Sequence, residues 1–176
     1  MTEQRSLILA DYFEPDPYVR FQNADRALNA AIVRAEISRS FEEYLQIFDE
    51  FYADDIEVTS ETAEEPIRGK TTLRSLLLNF LVPLHIMAEV GGVSISIQER
   101  AIAGDAVGET HSAWVLKLVG ASGKTCTVTW RTFRRWNGSS VVHERHYDQQ
   151  QTGGPLTFDD FKFDRAEPVT GLRGPS

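Results

Sequence analysis

Cysteine is nearly absent from this sequence of 176 residues: Cys126 is the only one, so no internal disulfide framework exists. A single thiol fits a reducing compartment, and a small core side chain is its expected role. Surplus basic charge is missing too. The net charge of −8 leaves nothing to neutralise phosphates, which argues against a nucleic-acid partner. No basic stretch followed by an apolar run and a cleavage site opens the chain, and no run reads as a membrane span. The expectation is therefore a soluble, cytoplasmic protein with no membrane partner. There is no Gly-rich phosphate loop, no G-x-S-x-G elbow, no HExxH and no Cys/His cluster, so neither metal nor other cofactor is expected. His143-Glu-Arg-His146 has H-x-x-H spacing, but on a strand it sends its two imidazoles to opposite faces.

What is present is an ordinary globular composition, 41% hydrophobic and 25% charged, of a length that suits one core. Residues 1–23, with Pro15 and Pro17, read as an arm lying over a domain at 24–151. Residues 152–176 open on Gly-Gly-Pro and read as a mobile tail whose Phe158, Phe161 and Phe163 are available to dock on a neighbour. Ala24, Ala27, Leu28, Ala31, Ile32 and Ala35 recur at helical spacing and predict a helix after Asn23, from Ala24 to about Arg39. Ser40-Phe-Glu-Glu43 reads as a capping box for a second helix with Tyr44, Leu45, Phe48, Phe51 and Tyr52 as its apolar stripe.

Asp54-Asp55 is expected to end that helix, with IEVTS as a short strand and an exposed acidic loop (Glu57, Glu61, Glu64, Glu65) after it. Gly69 closes the loop. Thr71 or Thr72 can cap a third helix through Leu73, Leu77, Phe80 and Leu81, kinked or ended by Pro83. His85 sits among Leu84, Ile86 and Met87 and is expected to be a hydrogen-bonded core histidine. Beyond Gly91, alternation of Val93, Ile95 and Ile97 marks a half-buried strand. Another follows with Glu109, His111, Ala113 and Val115 on one side and Trp114, Leu116 and Leu118 on the other.

Two β-rich runs then flank Asn137-Gly138, a strong hairpin signal. A two-residue turn there sets Trp136 opposite Ser139, Arg134 opposite Val141, Thr132 opposite His143 and Trp130 opposite Arg145. One face then carries Val128, Trp130, Thr132, Arg134, His143, Arg145 and Tyr147. The other carries Arg131, Phe133, Arg135, Glu144, His146 and Asp148, with Arg131 able to pair with Glu144. The pattern as a whole predicts an α+β fold, a curved antiparallel sheet with about three helices on one face.

FYADDIEV at 51–58 and the ending RRWNGSSVVHERHYDQ, with the elements between them, resemble the nuclear transport factor 2-like (NTF2-like) superfamily, and within it the SnoaL-like branch of cyclases, isomerases and dehydratases. The resemblance covers about Ala24 to Gln151. It implies a cone-shaped fold with a pocket between sheet and helices, and a homodimer formed through the sheet. The general-base position of ketosteroid isomerases falls on Ser60 and their oxyanion tyrosine on Glu36, so neither group carries over. The sheet aspartate that serves cyclases as base has Asp148 as its counterpart.

From the residues themselves, the candidate catalytic groups are His143, Arg145, His111 and Tyr147, to which the resemblance adds Asp148. An enclosed imidazole can act as base while a guanidinium and a phenol hold developing oxyanion charge. Trp130, Trp114, Glu109, Tyr52, Phe48 and Phe80 are the candidate ligand contacts. In a rival account, Arg145 merely stacks on Trp130 and His143 bonds at the rim. Two functions remain open: a cofactor-independent acid/base enzyme on an apolar, oxygenated small molecule, or a non-catalytic binding or dimerisation module.

Overall fold

The computed structural model describes residues 16–102 and 106–161. Helix α1 spans Pro17–Ser38 and α2 spans Phe41–Phe51. Strand β1 spans Tyr52–Ser60, β2 Ile67–Arg68, and helix α3 Lys70–Glu89. Strands β3 (Ser94–Ile102), β4 (Glu109–Val119), β5 (Thr125–Asn137) and β6 (Ser140–Thr152) follow, then a 3₁₀ turn at Phe158–Asp160. The sheet order is β2-β1-β6-β5-β4-β3, curved and unclosed, so the expected α+β architecture is what the chain forms. One expectation needs correction. The sheet is mixed, because β1 runs parallel to β6, with Tyr52 beside Val141 and Val58 beside Glu144.

Helix α1 begins at Pro17, seven residues before the helix read from the sequence. Proline suits a first helical position because its φ is preset and its missing N–H would have had no partner there. Phe21, Ala24, Leu28, Ala31 and Ala35 form the buried stripe. Arg39 then takes a left-handed φ of 52° and turns the chain into α2. There Ser40 accepts from the Glu43 amide as foreseen, while the Glu43 carboxylate accepts from Ser38 instead of reaching back to Ser40. Tyr44, Phe48 and Phe51 are buried as expected, but Tyr52, Asp54 and Asp55 belong to β1.

Helix α3 continues through Pro83 to Glu89. By length and composition alone it is apolar enough to cross a membrane, which the reading of no such run missed. It buries Leu81, Leu84, His85 and Ala88, and Lys70 and Arg74 pair with Asp54 and Asp49. His85 is the core histidine expected: its Nε2 lies 3.4 Å from Glu36, whose carboxylate also accepts from Tyr44.

The helices cover one face of the sheet, where Tyr52, Ile56, Val58, Trp136 and Val141 meet Phe21, Leu28, Phe48, Phe51 and Leu81. Residues 153–161 bond to the β4–β5 turn: Lys124 donates to the Pro155 carbonyl, and buried Asp160 accepts from Ser122 and Lys124 of that turn and from Thr157 just before it. Cys126 is buried. Phe163 lies outside the described residues.

The hairpin departs from its expected register. Asn137 pairs with Ser140, so Gly138-Ser139 is the turn, with Gly138 at φ 62°. Trp136 therefore faces Val141, two residues further along than expected. Val142 then bulges, and Arg134 faces Glu144, three further along. An odd shift exchanges the faces of a strand. Glu144 and His146 consequently join Thr132 and Arg134 on the helix-covered face, and His143, Arg145 and Tyr147 turn outward.

Candidate functional site

On the helix-covered face, paired residues form rows across the strands. Thr110, Arg134 and Glu144 make one, Ser112, Thr132 and His146 the next, and Glu99, Trp114 and Trp130 a third. Strand alternation puts these side chains on one surface, and all but His146, Glu99 and Trp130 are buried. A face that would otherwise be aliphatic therefore carries a polar network centred on Arg134, which is 2% exposed. Arg134 donates through Nε to Glu144 (2.6 Å) and through Nη1 to Asp25 (2.7 Å) and Asn29 (2.6 Å) of α1. Thr110 and Ser112 donate to Asp25, and the Trp136 indole donates to Thr110. The Tyr52 hydroxyl donates to Glu144 at 2.9 Å.

Burial alone would push the Glu144 carboxyl up. The guanidinium of Arg134 and the hydrogen bond from His146 outweigh that and hold it well below the usual carboxylate range. Burial likewise works against the charge on Arg134, but Glu144 and Asp25 keep it protonated. Tyr52 is pushed well above the ordinary phenol value, by burial first and by the Glu144 charge second. At neutral pH the centre thus holds a fixed carboxylate, a fixed guanidinium and a neutral phenol.

His146 is the part of this arrangement that reaches solvent. Its side chain is 35% exposed, and Nε2 lies 2.7 Å from Glu144 Oε1. An ionised carboxylate only accepts, so Nε2 carries a proton, and in the neutral imidazole the lone pair lies on Nδ1. The chemistry available is that of a carboxylate-oriented imidazole base, with the carboxylate itself anchored by Arg134 and Tyr52. Beside it Trp114 and Trp130 stack across the strands, centroids 6.0 Å apart and 9° from parallel. Trp130, only half-buried, offers a flat apolar surface, and Trp114, 3% exposed, backs it. No group of three or more metal-ligating side chains occurs among the described residues.

The residues singled out from the sequence divide between the two faces. Trp130 and Trp114 lie on the inner face, and Tyr52 belongs to the Arg134 network. Phe48 is core, and Phe80 of α3 is 58% exposed. The four groups expected beside Trp130 are outside instead. His111 Nδ1 sits 3.1 Å from the Tyr147 hydroxyl, and Phe133 lies between His111 and His143. Arg145, its side chain 56% exposed, rests over Tyr147 and approaches Glu61, not Trp130. Glu109 pairs with Arg135. Asp148, at φ 52° in a second bulge, pairs with Arg131, which takes the place of the expected Arg131–Glu144 contact. The bulge at Val142 is the physical reason for the reassignment of His143, Arg145 and Tyr147.

Arg134, Glu144, His146, Asp25, Asn29 and Glu99 were not read as site residues. Their signal was available in part. Thr110, Ser112, Thr132 and Arg134 interrupt with polar groups the side of each strand that also carries Trp114, Trp130 and Trp136. Buried polar groups on an inner face need partners.

No protein-family model matches the chain, and neither does any curated protein. Solved structures do resemble it, at low identity. An NTF2-like protein of unknown function from Cytophaga hutchinsonii ATCC 33406 is 14% identical with a TM-score of 0.47, over 69% of this chain and 96% of that one. A candidate polyketide cyclase from Xanthomonas campestris pv. campestris is 14% identical with a TM-score of 0.49, over 72% and 91%. An LEH-like epoxide hydrolase of M. tuberculosis is 15% identical with a TM-score of 0.46, over 69% and 79%. Likeness at this level says nothing of activity.

Proposed function

We propose that the chain is a cofactor-independent acid/base enzyme acting on an apolar, oxygenated, ring-containing small molecule, in a cyclisation, isomerisation, dehydration or epoxide opening, with His146 as its base. The observation that carries this reading is the His146–Glu144 contact at 2.7 Å, with Glu144 held in turn by Arg134 and Tyr52. A surface histidine of no consequence needs no buried, triply bonded carboxylate behind it. Here the carboxylate fixes the tautomer and stabilises the imidazolium once a proton has been taken. Trp130, with Trp114 beneath it, would hold the ring.

A generic probe of such a base is 5-nitrobenzisoxazole. Removal of its one acidic carbon-bound proton breaks the N–O bond and leaves the electron pair on a coloured phenolate. The wild type is expected to accelerate this opening, and His146→Asn to lose at least about a hundredfold of the acceleration, the lower end of the range for general-base catalysis. His143→Asn, on the outer face, is expected to keep it. Equal rates for wild type and His146→Asn, with both folded by circular dichroism, would sink the assignment and leave a binding role.

A further inference from the structure

We propose that Glu99 is the proton donor of this same site, and that its ligand is a flat molecule of about two fused rings bearing an oxygen at the end that meets Glu99. This rests on the reading of His146 as base and adds a second reacting group to it. The placement is geometric. Glu99 pairs with Trp114 across β3 and β4, so it stands on the helix-covered face at one side of the Trp114–Trp130 pair, with His146 towards the other. Three strand spacings separate β3 from β6, roughly 14 Å across the sheet, and His146 lies one row over, about 7 Å along the strand, with both side chains able to lean towards the pair between them. A two-ring molecule with a hydrogen bond of about 2.8 Å at each end suits that gap.

Glu99 is also held in place. Its Oε1 accepts from Asn29 Nδ2 at 3.2 Å, and Asn29 in turn accepts from Arg134 and donates to Ser112. The acid is thereby tied to the anchored network while remaining only half-buried itself. Its environment favours the neutral form. Burial raises the carboxyl above its usual value, against the Asn29 hydrogen bond that lowers it. Glu144 is shifted in the opposite sense on the same surface. Two titratable groups pushed apart in this way are suited to opposite halves of a proton transfer. A substrate proton would pass to His146 Nδ1 while the Glu99 hydroxyl hydrogen-bonds to, or protonates, the oxygen that gains the electron pair.

The test uses 2-naphthoate, with neutral 2-naphthol as control, and reads quenching of tryptophan fluorescence. A protonated Glu99 donates to the naphthoate carboxylate, whereas an ionised one repels it. Wild-type affinity for naphthoate is therefore expected to fall by about tenfold, some 1.4 kcal/mol, as rising pH ionises Glu99. Glu99→Gln keeps a donor at every pH and an oxygen for Asn29. Its affinity is expected to stay flat and to exceed that of the wild type at the higher pH. Naphthol should bind alike across the range in both. Binding that responds to Trp130→Ala, with identical pH profiles for wild type and Glu99→Gln, would overturn the role of Glu99 alone and leave the base intact. Absence of binding by either probe would overturn the shared site.

Discussion

Glu144 accepts hydrogen bonds from Arg134, Tyr52 and His146 in a setting almost closed to water, whereas Arg145, its neighbour in sequence, lies largely in solvent. The two should differ sharply on substitution. Glu144→Gln leaves the Arg134 guanidinium with one carboxylate where it had two. The expected cost is about 3 kcal/mol, the lower end for breaking a buried ion pair. Arg145→Ala removes a loose exposed contact with Glu61 at 3.6 Å and is expected to change stability by less than about 0.5 kcal/mol. Urea-unfolding midpoints of the two variants check both expectations. Equal midpoints would mean that the network contributes nothing to the fold.

Among the elements, β6 decides which residues can act together, and the Val142 bulge decides β6. Deleting Val142 removes only the unpaired residue, so Val141 stays opposite Trp136 and Glu144 opposite Arg134 in an unbroken ladder, and sharp melting is expected to survive. Deleting Val142 and His143 together would turn Glu144 and His146 to the solvent face and set Arg145 opposite Arg134, with loss of cooperative thermal unfolding as the expected outcome. A double-deletion variant that still melts sharply and keeps its benzisoxazole activity would refute the register argument. What could be read from the sequence follows from how local each signal is. The Ser40 cap, the Tyr44–Phe48–Phe51 stripe, the buried His85 and the alternation along β4 depend on neighbours a few residues away, and all were legible. The hairpin register was not, because Asn137-Gly138 and Gly138-Ser139 are both acceptable turns. The choice between them depends on burying Val141 against Trp136 and pairing Glu144 with Arg134, contacts that a local pattern does not contain.

At the scale of the molecule, the network should set both limits of stability against pH. The Glu144 carboxyl is depressed in the folded chain. Its contribution is complete above the unfolded value of about 4.3 and is lost as pH falls below that. The Tyr52 phenol is raised, so its contribution is complete below about pH 10 and is lost as pH rises beyond it. Urea midpoints measured across pH should form a plateau with an acid limb that weakens in Glu144→Gln and an alkaline limb that weakens in Tyr52→Phe. A wild-type acid limb that persists unchanged in Glu144→Gln would show that other carboxylates govern it. The parallel pairing of β1 with β6 has a consequence for the order of assembly. A ribosome releases β1 and β2 long before it reaches β6, and until then β1 has only a two-residue strand beside it. The last long strand must therefore slot between segments made at opposite ends of synthesis, joining the early helical half to the β3–β5 meander in one late event that a chain ending before Ser140 cannot perform.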